Sequence, residues 1–70
     1  MRKNPLLVKI GQKIRLYRIE KGWSQERLGE KSDLDRTYIG GVERGERNIS
    51  IINLQKISSA LHVKPEDLFS

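Results

Sequence analysis

Only three residues, Ser32-Asp33-Leu34, separate two stretches that both read as helix. Ser24 offers an N-cap for the first, about 25–31, whose inner side carries Leu28 and Gly29. Asp35 offers an N-cap for the second, about 36–44, with Ile39 and Val42 facing inward and Gly45 closing it. A connection this short admits nothing but a turn, and Asp33 tolerates left-handed backbone better than most residues other than glycine. Residues 24–44 therefore read as a helix-turn-helix. The second helix breaks a rule at its start: the first helical turn is partially positive and favours Asp or Glu. Arg36 stands there instead, followed by Thr37 and Tyr38. Such departures concentrate where function is, and an arginine at that place can enter a DNA major groove.

The rest of the chain supplies the bundle around this unit. Asn4 suits an N-cap and Pro5 the first helical position, where its missing N–H would be unpaired anyway. Leu7, Ile10, Ile14 and Tyr17 then form one apolar stripe, and Gly22 ends the helix in left-handed backbone. Ser50 caps a fourth helix over about 51–62, with Ile51, Leu54, Ile57 and Leu61 as its stripe. Lys64 leads into a short fifth helix that begins at Pro65, with Glu66 and Asp67 placed for its dipole. No stretch alternates apolar and polar residues as a strand would. The expectation is one all-α domain over 1–70, a compact bundle of five short helices. The sequence stops at Phe69-Ser70, directly after the fifth helix, so no appended sensor domain or small-molecule ligand is expected.

Composition removes several classes of function. There is no cysteine and a single histidine, His62, which leaves no metal or Cys-His chemistry to expect. Paired His and acid groups and a Gly-rich phosphate loop after a strand are missing too, so neither an enzyme nor a cofactor is expected. No apolar run approaches the ~20 residues of a membrane span, and no signal peptide is visible; a soluble, cytoplasmic chain is expected. Residues 1–21 carry Arg2, Lys3, Lys9, Lys13, Arg15, Arg18 and Lys21 against Glu20 alone, so more than the whole net charge of +5 sits there. A basic excess favours nucleic acid, although a solvated helix face is the plainer reading of the charge by itself. Four aromatic residues, with Tyr17 and Trp23 packed inward, offer no stacking platform for RNA.

Several side chains fit a duplex DNA partner. Gln25, at the start of the first helix of the unit, can donate to a phosphate. Arg36 can pair in bidentate fashion with guanine, Thr37 can bond a base or touch a thymine methyl, and Tyr38 offers a ring and a hydroxyl. Gly40 and Gly41 inside a helix cost about 1 kcal/mol each relative to alanine. Packing by the preceding helix is expected at Gly41; at Gly40 such packing and a DNA strand are equal candidates. Arg47 and Asn48 follow on a polar loop where phosphate contact and a plain solvated turn are both open. Arg44 suits either a phosphate or the end of its own helix. Arg18 and Glu43 end apolar stripes on helices that must pack, so a structural ion pair is expected between them. His62 reads as a helix-terminal or interface residue.

Arg18, Gly22-Trp23-Ser24-Gln25, Leu28-Gly29, Ile39, Val42-Glu43-Arg44-Gly45, Leu54, Ile57 and Ala60-Leu61 together resemble the Cro/C1-type (XRE) helix-turn-helix regulators. Leu34 through Ile39, followed by Glu43 through Ser50, is similar to the controller proteins of restriction–modification systems within that family. The resemblance implies a five-helix, lambda-repressor-like fold and a homodimer on double-stranded operator DNA. It implies that Arg36, Thr37 and Tyr38 meet bases or neighbouring phosphates and that Gln25, Arg47 and Asn48 hold the backbone, with Gly40 and Arg44 expected as further phosphate contacts. It implies the Arg18–Glu43 link, and a dimer through helices 4 and 5 (50–69) that uses Ile52, His62, Val63, Leu68 and Phe69. Where such regulators activate, the resemblance also offers Glu26 and Glu30 to RNA polymerase. The sequence departs from the family at Asp33, where glycine is common, and at Gly40, where similar controllers often carry serine. A phage-repressor-like or antitoxin-type autorepressor is the alternative, and a protein-interaction module without DNA binding is a further one.

Overall fold

Four side chains fix the helix starts. Asn4 Oδ1 accepts from the backbone N–H groups of Leu6 and Leu7 at 2.8 and 3.3 Å. Ser24 Oγ accepts from Arg27 at 3.0 Å, Asp35 Oδ2 from Thr37 at 2.9 Å, and Ser50 Oγ from Asn53 at 3.1 Å. Each satisfies a backbone donor that helix geometry leaves without a partner. The computed structural model describes residues 3–70, so Arg2 lies outside the described residues. The caps open α1 (Pro5–Glu20), α2 (Gln25–Ser32), α3 (Arg36–Glu43) and α4 (Ile51–Leu61). Gly22 follows α1 with φ +73°, and Asp33 ends α2 in left-handed backbone at φ +60°.

The architecture is all-helical among the described residues, with four α-helices where five were expected. Pro65–Leu68 forms a single turn of 3-10 helix. Its bonds run from Asp67 N–H to the Lys64 carbonyl and from Phe69 N–H to the Glu66 carbonyl, and four residues are too few to complete the longer α-helical ladder. No helix among the described residues is long and apolar enough to cross a membrane.

Helix α3 packs against α1 and α2, α4 covers α2, and the 3-10 turn closes on α4 and α1. The core is built from Ile10, Ile14, Leu28, Ile39, Val42, Leu54, Ile57, Leu61 and Leu68. Two expectations fail here. Ile51 does not join the α4 stripe: it is 82% exposed, and buried Ser58 takes the flank beside Leu54, Ile57 and Leu61. As the first residue after the Ser50 cap, Ile51 begins α4 with its side chain turned to solvent. Leu68, expected in a dimer contact, is fully buried in the chain's own core. The 3-10 turn folds it back between α4 and α1, leaving no surface for a partner.

Gly11 and Gly29 allow two of the close approaches in the bundle. A Cβ on Gly11 would fall on the backbone carbonyls of Val42 and Glu43, so α1 lies directly on the end of α3. A Cβ on Gly29 would stand 2.6 Å from the Leu34 carbonyl oxygen. That space lets the turn fold back, with Leu34 N–H donating to the Gly29 carbonyl at 2.9 Å. Gly29 falls on the inner side that the helix pattern marks, whereas no pattern marks Gly11.

Candidate nucleic-acid interface

The helix-turn-helix presents its leading residues outward. Helix α3 buries Ile39 through Glu43, while Arg36 and Thr37 at its start are exposed. Arg36 meets Glu26 of α2, Nη1 to Oε2 3.4 Å, with side chains 69% and 64% exposed. An exposed pair this long is worth at most about 1 kcal/mol. The guanidinium is thus positioned but free to exchange partners. Glu30 pairs with Arg27 on the same helix at 3.2 Å, so both carboxylates that the resemblance offers to a polymerase already hold internal partners.

Gln25 stands at the first position of α2, where backbone N–H groups are free. Its Nε2 donates to Glu43 Oε1 at 3.1 Å, and Glu43 receives two further bonds from Arg18, Nε to Oε2 at 2.6 Å and Nη2 to Oε1 at 2.9 Å. Arg18 Nη1 also donates to the Trp23 carbonyl at 2.8 Å. The hydrogen bonds to Glu43 push the Arg18 guanidinium pKa further up, against the opposing effect of burial. The anticipated ion pair is therefore present, and it reaches further than anticipated: it also holds the Gln25 amide in place.

The two glycines of α3 are covered by different neighbours. A Cβ on Gly40 would meet Gln25 Oε1 at 3.2 Å and Arg44 Nη1 at 3.1 Å, so this glycine makes room for α2 and is covered. A direct phosphate contact at Gly40, one of the expectations, would first require those two side chains to move. Gly41, expected beneath α2, instead accommodates the stem of Arg47, whose Cγ would lie 2.7 Å from an added Cβ. Arg47 continues over the Tyr38 ring, Cζ 5.6 Å from the centroid, a cation–π arrangement. Tyr38 is half-buried and packed on the core, so it offers an edge and a hydroxyl rather than a free stacking face. Asn53 Nδ2, which sequence pattern did not single out, donates to Tyr38 Oη at 3.1 Å.

The loop after α3 adds exposed polar groups. Arg44 pairs with Glu46, Nε to Oε1 2.9 Å, and Lys3 Nζ lies 3.6 Å from the other Glu46 oxygen. The Arg44 guanidinium holds the Glu46 carboxyl below the usual carboxylate range. Asn48 is exposed beside them. His62 is the left-handed cap of α4, at φ +61°, and is exposed; Ile52 and Phe69 are exposed, and Val63 is half-buried against the core.

One rim of the molecule therefore brings together Gln25 at the head of α2, Arg36 and Thr37 at the head of α3, and Tyr38 with Arg47 beside them. The helix-turn-helix family model matches residues 14–68, which include every residue of that rim. The chain belongs to the helix-turn-helix family, in its Cro/C1 (XRE) form. This helix-turn-helix protein is similar to restriction–modification controller proteins. The control protein C.BamHI of Bacillus amyloliquefaciens is 50% identical over 66 residues, covering 93% of this chain and 82% of that protein. The structure of the controller protein C.AhdI from Aeromonas hydrophila is 54% identical with a TM-score of 0.87, over 90% of this chain and 96% of that one. The C.Esp1396I controller tetramer, solved in complex with its natural 35 base-pair operator, is 45% identical with a TM-score of 0.86, over 96% and 88%. All three are control proteins rather than enzymes.

Proposed function

We propose that this chain is a homodimeric, sequence-specific transcriptional regulator that controls a restriction–modification operon from a roughly palindromic operator. The observation that carries the reading is Arg36, exposed with Thr37 on the first turn of α3 while Ile39 through Glu43 are buried. Arginine in bidentate contact with guanine supplies ~1–3 kcal/mol of discrimination. Gln25, Arg47 and Asn48 flank it as phosphate contacts, which fix register and carry no sequence information themselves. The operator complex of the C.Esp1396I controller tetramer supports double-stranded DNA as the ligand. Exposed Ile52 and Phe69 support self-association through α4 and the 3-10 turn. Two-fold symmetry would set recognition helices ~34 Å apart.

Selection of bound duplexes from a random library, at one stated salt concentration, should yield an inverted repeat; an unrelated set of winners would remove the dimeric operator. Arg36→Ala is expected to lower affinity for the selected duplex by about 5- to 150-fold per half-site. Preference should relax at one base pair per half-site while the melting temperature holds. An equal loss on scrambled DNA would contradict base reading. Arg47→Ala should act differently, weakening all duplexes alike and reducing the salt slope by about one unit. A sequence-dependent loss would move Arg47 from the phosphates to the bases.

A further inference from the structure

Asn53 lies on α4, outside the helix-turn-helix, and carries no charge, yet its half-buried side chain is turned onto α3. Its Nδ2 donates to Tyr38 Oη over 3.1 Å. A phenol oxygen accepts hydrogen bonds and has one proton of its own to donate. With an amide donor already facing the oxygen, that proton is directed away from Asn53. Among the hydrogen bonds of the described residues, none is donated by this hydroxyl. A DNA phosphate offers only acceptor oxygens, so it fits the group left over. The Tyr38 ring is held from a third element as well, since Arg47 lies over it and its stem rests on Gly41. A donor fixed in this way loses less freedom on binding than one that must be ordered by its ligand, and a donated bond polarises the hydroxyl it reaches.

We infer that Asn53 is a positioning residue for DNA binding, which orients the Tyr38 hydroxyl as a donor to a backbone phosphate and acts on DNA only through it. The inference rests on the regulator reading above and adds a residue outside the family's recognition unit.

The test measures affinity of the full chain for the library-selected duplex and for a scrambled duplex of equal length. Wild type, Asn53→Leu, Tyr38→Phe and the double variant are compared at one salt concentration, with thermal melts of each. Tyr38→Phe should weaken both duplexes about 12- to 150-fold per half-site, the range of one hydrogen bond to a charged group, and Asn53→Leu by part of that, at least about 2-fold. The double variant should be no weaker than Tyr38→Phe. Asn53→Ser, too short to reach the phenol, serves as a second variant should leucine impair folding, and it should show the same dependence. Wild-type affinity in both Asn53 variants, or losses that multiply in the double variant, would overturn the inference, because Asn53 would then act independently of the hydroxyl. A wild-type chain that binds neither duplex would instead bring down the regulator reading, and this one with it.

Discussion

Replacing Glu43 with alanine is expected to bring the protein to the edge of unfolding at 25 °C. The carboxylate is the shared acceptor of Arg18 Nε and Nη2 and of Gln25 Nε2, with side-chain exposure of 3% against 12% for Arg18. Removing it leaves a part-buried guanidinium with the Trp23 carbonyl as its one remaining acceptor among the described residues. Breaking one partner of such a pair costs about 3–5 kcal/mol. A single core in a chain this short rarely supplies more than about 3–5 kcal/mol, so the two magnitudes are comparable. Urea titration followed by circular dichroism checks this, and a midpoint within about 0.3 M of wild type would show that the pair is dispensable. Replacing Arg18 and Glu43 together by leucine should recover much of the loss, because no charge is then stranded. That double variant should still bind DNA more weakly, since Gln25 has lost the acceptor that holds its amide at the head of α2.

This network also marks how far the sequence can be read. Asn4, Ser24, Asp35 and Ser50 are legible as caps because capping is settled within three residues, and the bonds they make are those the residue types imply. Asp33 in left-handed backbone and exposed Arg36 at the head of α3 follow from the same local logic. What the pattern could not decide was which neighbour covers a given face. Gly40 and Gly41 both signal a close approach, yet only the path of the loop determines that Arg47 lies over Gly41 and Gln25 over Gly40. Periodicity places Ile51 on the α4 stripe, yet Ile51 is exposed while Asn53 of the same turn bonds to Tyr38 of α3. The bond from Asn53 to Tyr38 joins residues 15 apart on different helices, and no spacing rule connects them. Where a contact is local the residue type suffices; where it depends on the packing of α1, α4 and the loop, it does not.

Leu68→Ala and Phe69→Ala separate folding from association at two neighbouring positions. Leu68 has no exposed surface and packs in the core with the residues of α1 and α4, whereas Phe69 is 44% exposed. Truncating a buried leucine costs about 2–5 kcal/mol through lost burial and the cavity left behind. Leu68→Ala should therefore lower the melting temperature of dilute protein steeply, and raising the concentration should recover only the part that mass action supplies. Phe69→Ala removes a side chain that the chain itself only partly covers, so stability at low concentration should change by less than about 1 kcal/mol. Its effect should emerge in sedimentation, as a weaker dimer. With those outcomes the 3-10 turn would have two sides with separate duties, one closing the core and one facing a second copy of the chain. Unchanged sedimentation for Phe69→Ala would remove that residue from the interface. A Leu68→Ala protein as stable as wild type would mean that the turn is not part of the core, and the packing of α1 against α4 would have to be redrawn.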